Sequence, residues 1–264
     1  MPSVPYWHVD AFADQPFTGN QAAVMLLEEW PDDAVLKAIG EENNFAETAF
    51  LVRDTSGTAD CELRWFTPKC EIRLCGHATL ASGHVLLGLA PQADAVTFRT
   101  RKAGILTVRR AGDALEVGLP AIPTTPGRFP EAVALVGAEP LEVWRSPLGY
   151  NIFLYSDENS VRALVPDLRG LEALGDDQFI VTARGSGTDV VSRVFVPDGG
   201  VDEDSVTGSA HAALTWFWSN KLGKDTLTAF QASTRGGQLS CRLAADVAWL
   251  GGPCVTVVEG RFAF

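Results

Sequence analysis

The sequence has no apolar run near the roughly 18 residues that a helix needs to cross a membrane. Basic residues are also scarce, because 21 lysines and arginines stand against 33 aspartates and glutamates, a formal net charge of −12. Surfaces that bind nucleic acid or anionic membranes are basic, so we expect neither as a partner. Met1–Pro5 has neither the basic region nor the apolar segment of a signal peptide, and we therefore expect a cytoplasmic protein.

Signatures of metal and nucleotide chemistry are missing as well. The four histidines do not follow a zinc-ligand spacing, so we predict no metal site. The chain lacks a Walker loop, a Gly-x-Gly-x-x-Gly motif after a strand, and the Gly-x-Ser-x-Gly of serine hydrolases. Nucleotide cofactors are therefore not indicated. Five cysteines without a small-domain framework are typical of reduced thiols in the cytosol.

The chain does contain a pattern that occurs twice. The first copy is Arg64–Pro68, then Ile72, then Cys75–Ala78, and the second is Arg193–Pro197, then Val201, then Thr207–His211. Each copy predicts a strand, a polar turn, and a helix that begins at a glycine. The free N–H groups at a helix N-terminus attract anions. Two such units facing each other would form an anion site from backbone, suited to a carboxylate or a developing enolate.

The length and composition favour two lobes. The chain has 264 residues, which is enough for two domains of ordinary size, and 46% of them are hydrophobic. Residues 120–130 contain four prolines, which prevent regular structure and favour an extended connector. We therefore predict an N-terminal lobe over 1–120, a connector over 121–130 and a C-terminal lobe over 131–264. Part of the segment after Gln238 is a candidate to return to the first lobe.

Periodicity and capping signals predict both helices and strands. The predicted helices are 22–27 with Asn20 as N-cap, 31–42 with Pro31 at its first position, 76–89, 167–174 and 208–222. The predicted strands are 9–12, 48–52, 61–66, 95–100, 105–109, 114–119, 151–155, 179–183, 190–196 and 227–231, with two or three more after residue 238.

Three residues of the first copy are candidates for chemistry. Glu47 is the one acidic residue at the entrance to an apolar strand, where it could take and return a proton, or could be a strand-edge glutamate in water. His77 could bind a substrate in its neutral form, which the positive helix end favours, or could be a capping or core residue. Cys75 precedes the helix, where a thiol has a lowered pKa and could be a base, although a buried filler is more common.

The second copy offers carboxylates and a hydroxyl before its helix. Asp202, Glu203 and Asp204 all precede Gly208. One of them could hold the substrate, while the others could complement the helix dipole. Ser209 is suited to donate to an oxyanion or a carboxylate, but it could equally be an ordinary residue of the first turn.

Six motifs, in order along the chain, resemble the PhzF family of phenazine-biosynthesis-like isomerases. They are Val9–Phe12, Pro16–Asn20, Ala46–Phe50, Cys75–Thr79, Glu203–His211 and Gln231–Gly237. The fourth motif is more similar to the family's uncharacterised members than to its phenazine enzyme. The resemblance implies the diaminopimelate-epimerase-like fold: an α+β protein of two pseudo-symmetric lobes, each a curved, mostly antiparallel sheet around a central helix. It also implies a site in the cleft between the lobes, proton transfer at carbon without a cofactor, and a homodimer.

The resemblance also implies roles for individual residues. Glu47 matches the family's general acid/base, and His77 and Asp204 match its polar partners, which orient the substrate and assist proton movement. Gly76, Gly208 and Ser209 match the backbone and hydroxyl donors that surround the substrate's carboxylate in the family. In the phenazine enzyme, the glutamate moves a proton between ring carbons of a dihydro-hydroxyanthranilate. We therefore expect a cofactor-independent isomerase that acts on a small carboxylate.

Two other functions fit the same residues. Cys75 falls near the catalytic cysteine of cofactor-free epimerases, so an amino-acid epimerase or racemase could use it opposite Glu47. A non-catalytic protein could instead bind a carboxylate without turnover. This chain has Ala46 where the family usually has a serine and Ser205 where it usually has a proline.

Overall fold

The structure is a computed structural model that describes residues 3–264, which form eighteen strands and six α-helices. The strands are β1 (Ser3–Ala11), β2 (Asn20–Leu27), β3 (Glu47–Arg53), β4 (Cys61–Phe66), β5 (Glu71–Ile72), β6 (Ala95–Thr100), β7 (Ile105–Ala111), β8 (Ala114–Pro120), β9 (Thr125–Pro126), β10 (Glu142–Arg145), β11 (Tyr150–Leu154), β12 (Gln178–Arg184), β13 (Val190–Val196), β14 (Val201–Asp204), β15 (Thr226–Gln231), β16 (Gly237–Ala244), β17 (Val247–Gly252) and β18 (Cys254–Ala263). The helices are α1 (Asp33–Asn43), α2 (Gly76–Leu89), α3 (Pro130–Val133), α4 (Glu158–Arg162), α5 (Leu168–Glu172) and α6 (Gly208–Leu222). None of these helices has the length and apolar character required of a membrane span.

The contacts divide the chain into two compact units. The first runs to Leu119 and includes Gly251–Phe264, and the second is Pro120–Leu250. Residues 121–130, predicted as a connector, fall in the second unit, where they contain β9 and the start of α3. The end of the chain joins the first unit because β18 pairs antiparallel with β1 along its full length.

The sheet of the first unit surrounds a central helix. β1 pairs antiparallel with β18 and β2, and β2 is parallel to β3. β4 is antiparallel to β3 and β5 but parallel to β6, and the hairpins β6–β7 and β7–β8 follow. Helix α2 packs against β1, β2, β3, β6, β7 and β18. Its first two turns are therefore buried on all sides.

The second unit repeats this arrangement. β11 is parallel to β12, while β13 is antiparallel to β12 and β14 but parallel to β15. β16 follows antiparallel to β15, and helix α6 packs against β11, β15 and β16. The two parallel pairs therefore occur at the same places in both units. The predicted α+β class is confirmed, as are both central helices.

The strand register shows which residues of the two units correspond. Trp65 follows the arginine of β4 and lies opposite Ile72, and Val194 follows the arginine of β13 and lies opposite Asp204. Asp204 therefore corresponds to Ile72, whereas the sequence comparison had matched Ile72 with Val201. Gly76 lies four residues after Ile72, and Gly208 lies four residues after Asp204, so the glycines that begin α2 and α6 also correspond.

Each unit contains an arginine that binds a glutamate of the next strand through two nitrogens. Nε and Nη2 of Arg64 donate to Glu71 at 2.8 and 2.7 Å, and the same atoms of Arg193 donate to Glu203 at 2.8 and 2.9 Å. The contacts of the third guanidinium nitrogen, Nη1, differ between the two units. Nη1 of Arg193 donates to backbone carbonyls, including that of Leu164 at 2.8 Å, while Nη1 of Arg64 is buried without a hydrogen bond. The Arg64 pair therefore depends more strongly on its glutamate.

One predicted helix is a strand. Residues 22–27 were predicted as helical with Asn20 as N-cap, but Asn20–Leu27 forms β2. The segment is rich in alanine, methionine and leucine, which favour helices, and its almost continuous burial hides the period of a strand. Backbone pairing with β1 on one side and β3 on the other overrides this preference. Helix α1 also begins at Asp33 rather than at Pro31.

Gly83 allows α2 to pack closely on β7. A Cβ at this position would overlap the side chain of Val108, whose own Cβ would be 2.5 Å away. Alanine normally stabilises a helix relative to glycine by up to about 1 kcal/mol. We expect Gly83→Ala instead to lower the free energy of unfolding by about 1–3 kcal/mol, because the core must shift to admit it. Urea denaturation measures the change.

Gly88→Ala is the matched control in the same helix. Nothing lies within 4 Å of its Cβ position, so this substitution is expected to stabilise the protein by up to about 1 kcal/mol. Equal effects of the two substitutions would contradict the close approach of α2 and Val108.

Candidate active site

Glu47 and His77 are in contact within the first unit. Glu47 begins β3, and His77 is the second residue of α2, which packs against β3. Nε2 of His77 lies 3.0 Å from Oε2 of Glu47, and the two side chains are 3% and 14% exposed. Because Gly76 directly precedes His77, three of the residues predicted to form the site lie together here.

The contacts of His77 place a hydrogen on Nε2, and one oxygen of Glu47 has no aligned hydrogen bond. Nε2 lies 3.2 Å from the carbonyl oxygen of Gln21, which can only accept, so Nε2 carries a hydrogen. Nδ1 lies 3.1 Å from Nδ2 of Asn20. Oε2 of Glu47 is buried and receives no aligned hydrogen bond from the described residues. Beyond its contact with His77, this oxygen therefore has capacity to accept a further hydrogen bond.

The pKa values of His77 and Cys75 are both raised, whereas the positive end of a helix would lower them. Burial alone would lower the pKa of His77, but the hydrogen bond with Sγ of Cys75 and the carboxylate of Glu47 outweigh burial and raise that pKa well above 6.5. Burial, reinforced by the charge of Glu47, raises the pKa of Cys75 to about 11. The prediction of a neutral imidazole is therefore corrected, and of the two interpretations of Cys75 the buried filler fits. Desolvation and the nearby carboxylate dominate over the helix dipole.

Glu47, Cys75 and His77 also form the one group of potential metal ligands among the described residues, with their ligand atoms within 4.8 Å of one another. Sγ of Cys75 lies 3.6 Å from Nδ1 of His77, whereas Glu47 lies against Nε2. The thiol and the carboxylate therefore approach different ring nitrogens. An ion bound by all three would have to displace one of these contacts, so the arrangement fits a hydrogen-bonded chain better than a chelate.

In the second unit, the loop before α6 holds Asp204 firmly. The hydroxyl of Thr207 donates to Oδ2 at 2.6 Å, and the backbone N–H of Ser205 donates to Oδ1 at 2.9 Å. A proline at position 205 would lack this N–H, so the serine adds a hydrogen bond to the carboxylate. Gln231 fixes the loop from the next strand, because it donates to the carbonyl of Asp204 and accepts from the N–H of Thr207.

Both central helices begin without a side-chain cap. Cys75 and Thr207 occupy the N-cap positions of α2 and α6, and neither side chain caps its helix. The short helices α4 and α5 are instead capped by Asp157 and Asp167. The first turns of α2 and α6 also contain no acidic residue. No capping side chain therefore occupies the N–H groups of Gly76 and Gly208, an arrangement suited to an anion.

Two polar residues at these helix starts were not predicted from the sequence. Asn20, interpreted as a helix cap, contacts His77, and Nε2 of Gln178 donates to Oγ of Ser209 at 3.4 Å. Gln178 begins β12 as Glu47 begins β3. Extending the repeat back by one strand would have identified Gln178.

Comparison with known proteins now identifies the family. The family model of phenazine biosynthesis-like proteins, PhzC/PhzF, matches residues 9–260. The chain belongs to this family. An uncharacterised isomerase of Pseudomonas aeruginosa is 42% identical over 259 residues, which cover 96% of each chain. The resemblance inferred from the six motifs is confirmed.

Solved structures agree with this family assignment. A PhzF-family protein of Enterococcus faecalis has a TM-score of 0.89 and 38% identity, with complete coverage of both chains. A hydroxyproline epimerase from Agrobacterium vitis has a TM-score of 0.64 over 98% of this chain and 92% of its own, at 12% identity. The PhzF fold is therefore shared with epimerases, as predicted.

His211 is the buried histidine of the second unit in this PhzF-family protein. Its Nδ1 donates to the carbonyl of Thr207 at 2.8 Å, and its Nε2 lies 3.4 Å from the hydroxyl of Ser192. Burial lowers the pKa of His211 to about 4, although the bond to Thr207 acts in the opposite direction. The residue is therefore a neutral structural group of the helix start.

We expect His211 to make the protein sensitive to acid. In the unfolded chain the imidazole titrates near 6.5, so below that pH the unfolded state binds the extra proton. The stabilisation is complete above pH 6.5 and is lost as the pH falls toward 4, by about 3 kcal/mol at most. Urea unfolding from pH 7 to 4.5 measures the slope, which His211→Gln is expected to reduce. Identical slopes in the two proteins would exclude this role.

Proposed function

We propose that this PhzF-family protein is a cofactor-independent isomerase that moves a proton between carbons of a small carboxylate substrate. The observation that carries the proposal is the buried Oε2 of Glu47, which lies against His77 and receives no aligned hydrogen bond. A general acid/base must present such an oxygen to the substrate. Relatives named as isomerases support the same reaction class.

In the proposed reaction, Glu47 takes a proton from one carbon and returns it to another carbon of the same molecule. The intermediate is an enolate-like anion, and no other reactant is required. His77 and Asp204 orient the substrate and assist the proton movement. The N–H groups of Gly76 and Gly208 bind the substrate's carboxylate, together with the hydroxyl of Ser209. Preorganised donors of this kind contribute several kcal/mol to transition-state stabilisation.

The contacts of Cys75 argue against a two-base epimerase. Its thiol is buried, and a pKa of about 11 keeps it protonated near neutral pH. Cys75 is therefore not favoured as the base that opposes Glu47.

Proton exchange in heavy water tests the proposal against its alternatives. The protein is incubated in D2O with a panel of small aromatic and amino-acid carboxylates, and products are followed by NMR. An isomerase gives a shifted double bond with deuterium at a new carbon. An epimerase exchanges at one stereocentre and is inhibited by alkylation of Cys75. A binding protein is stabilised against heat by its ligand but exchanges nothing.

We further propose that the protein works in the cytoplasm as a homodimer. The five cysteines form no disulfide in the structure, which supports a reducing compartment. The dimer is proposed from the family resemblance alone.

A further inference from the structure

Two buried oxygens without hydrogen bonds occupy equivalent places in the two units. Among the described residues, six buried side-chain polar atoms lack an aligned hydrogen bond, and two of them are Oε2 of Glu47 and Oε1 of Gln178. Glu47 begins β3 and lies opposite Ala22 of its parallel neighbour, and Gln178 begins β12 and lies opposite Tyr150 of its own. The coincidence indicates that both positions present an acceptor to a ligand.

The neighbours of these two residues correspond as well. Glu47 contacts His77, the second residue of α2, and Gln178 donates to Ser209, the second residue of α6. The second unit therefore keeps the arrangement of the first but replaces a carboxylate and an imidazole by an amide and a hydroxyl. Neither replacement ionises near neutral pH. This position can bind a substrate but cannot exchange a proton with it.

The backbone of Gln178 is held by two hydrogen bonds, and its side-chain amide has one contact. Its backbone N–H donates to the carbonyl of Gly149 at 2.8 Å, and its own carbonyl accepts from Nδ2 of Asn151 at 3.4 Å. Nε2 is engaged by Ser209, so Oε1 is the atom left without a partner. A buried amide oxygen is unfavourable unless a donor reaches it.

We propose that Gln178 is a specificity-determining residue whose Oε1 accepts a hydrogen bond from an N–H or O–H group of the substrate. The inference rests on the proposed function and assigns Gln178 to the binding of such a donor group on the substrate. A site built around a buried acceptor discriminates strongly against ligands that lack the donor, because the acceptor is then left unpaired.

Matched pairs of carboxylates test this inference by calorimetry. Suitable pairs are 2-aminobenzoate with benzoate, and proline with cyclopentanecarboxylate. In each pair that binds, we expect the donor-bearing member to bind at least about 10-fold more tightly to the wild type. Gln178→Met keeps the length of the side chain and removes the acceptor, so the two members should bind about equally. Gln178→Glu keeps an acceptor and should retain the preference.

Controls separate this inference from the proposed function. Gln238→Met makes the same substitution at an exposed position of β16 and should leave the preference unchanged. Gln178→Asn, which withdraws the oxygen by one methylene, replaces the methionine variant if that variant does not fold. The inference is overturned if no donor-bearing carboxylate is preferred by the wild type, or if the preference survives Gln178→Met. Either result leaves the Glu47-dependent deuterium exchange intact, whereas exchange that persists in Glu47→Gln overturns the proposed function instead.

Discussion

Glu47→Gln is expected to lower the rate of proton exchange into substrate by about 10²- to 10⁴-fold, the usual contribution of a positioned acid/base. Glutamine has the shape of glutamate but cannot hold the transferred proton. The contact with His77 persists in polar form, so the loss reflects the missing base and not a rearranged helix. Single-turnover exchange measured by NMR in D2O separates this effect from product release.

Two further variants make the result interpretable. Glu41→Gln alters a carboxylate exposed on α1, and it should exchange at the wild-type rate. Glu47→Asp keeps the carboxylate but withdraws it by one methylene, so intermediate activity is expected. A Glu47→Gln protein that exchanges as fast as wild type, with an unchanged unfolding curve, would assign the base to another residue.

Glu71→Ala is expected to lower the free energy of unfolding by about 3 kcal/mol, because it leaves a buried guanidinium with one exposed partner. The side chain of Arg64 is 2% exposed, and its remaining ion pair is with Asp33, which is 65% exposed. The ring of Trp30 lies 5.2 Å from the guanidinium carbon, so the charge cannot reach water without unpacking. Urea denaturation at neutral pH measures the change.

The equivalent pair of the second unit supplies the control. In Glu203→Ala, Arg193 keeps its backbone acceptors, such as the carbonyl of Leu164. We therefore expect a smaller loss than for Glu71→Ala. The double variant Arg64→Met, Glu71→Leu removes both charges and should recover much of the stability. Equal losses in the two single variants would show that the carbonyl bonds of Arg193 contribute nothing.

The two central helices could be predicted to the residue from the sequence, whereas β2 could not. Gly76 and Gly208 mark sharp helix starts after a polar turn, and long apolar runs follow them. Asn20–Leu27 carries no such mark. Its conformation is decided by β3, a partner more than twenty residues away, so local preference pointed to the wrong structure.

The sequence identifies which residues belong to the site, but it does not show how burial changes their pKa values. The motifs identify Glu47 and His77, and the structure brings the two into contact. The titration of Cys75 and His77 could not be predicted, because it depends on how completely the fold removes water from them. Gln178 was missed because an amide carries no recognisable motif of its own. It becomes visible when the two units are compared strand by strand.

The pairing of β18 with β1 has a consequence for biosynthesis. A ribosome delivers residues 120–250 as one uninterrupted stretch, and that unit can assemble while translation continues. The first unit must wait for residues 251–264, although most of it is made earlier, because β1 lies between β2 and β18. Until β18 has been made, β1 presents an unpaired edge open to other strands. The nascent polypeptide is thus most exposed to aggregation, and most in need of a chaperone, along β1.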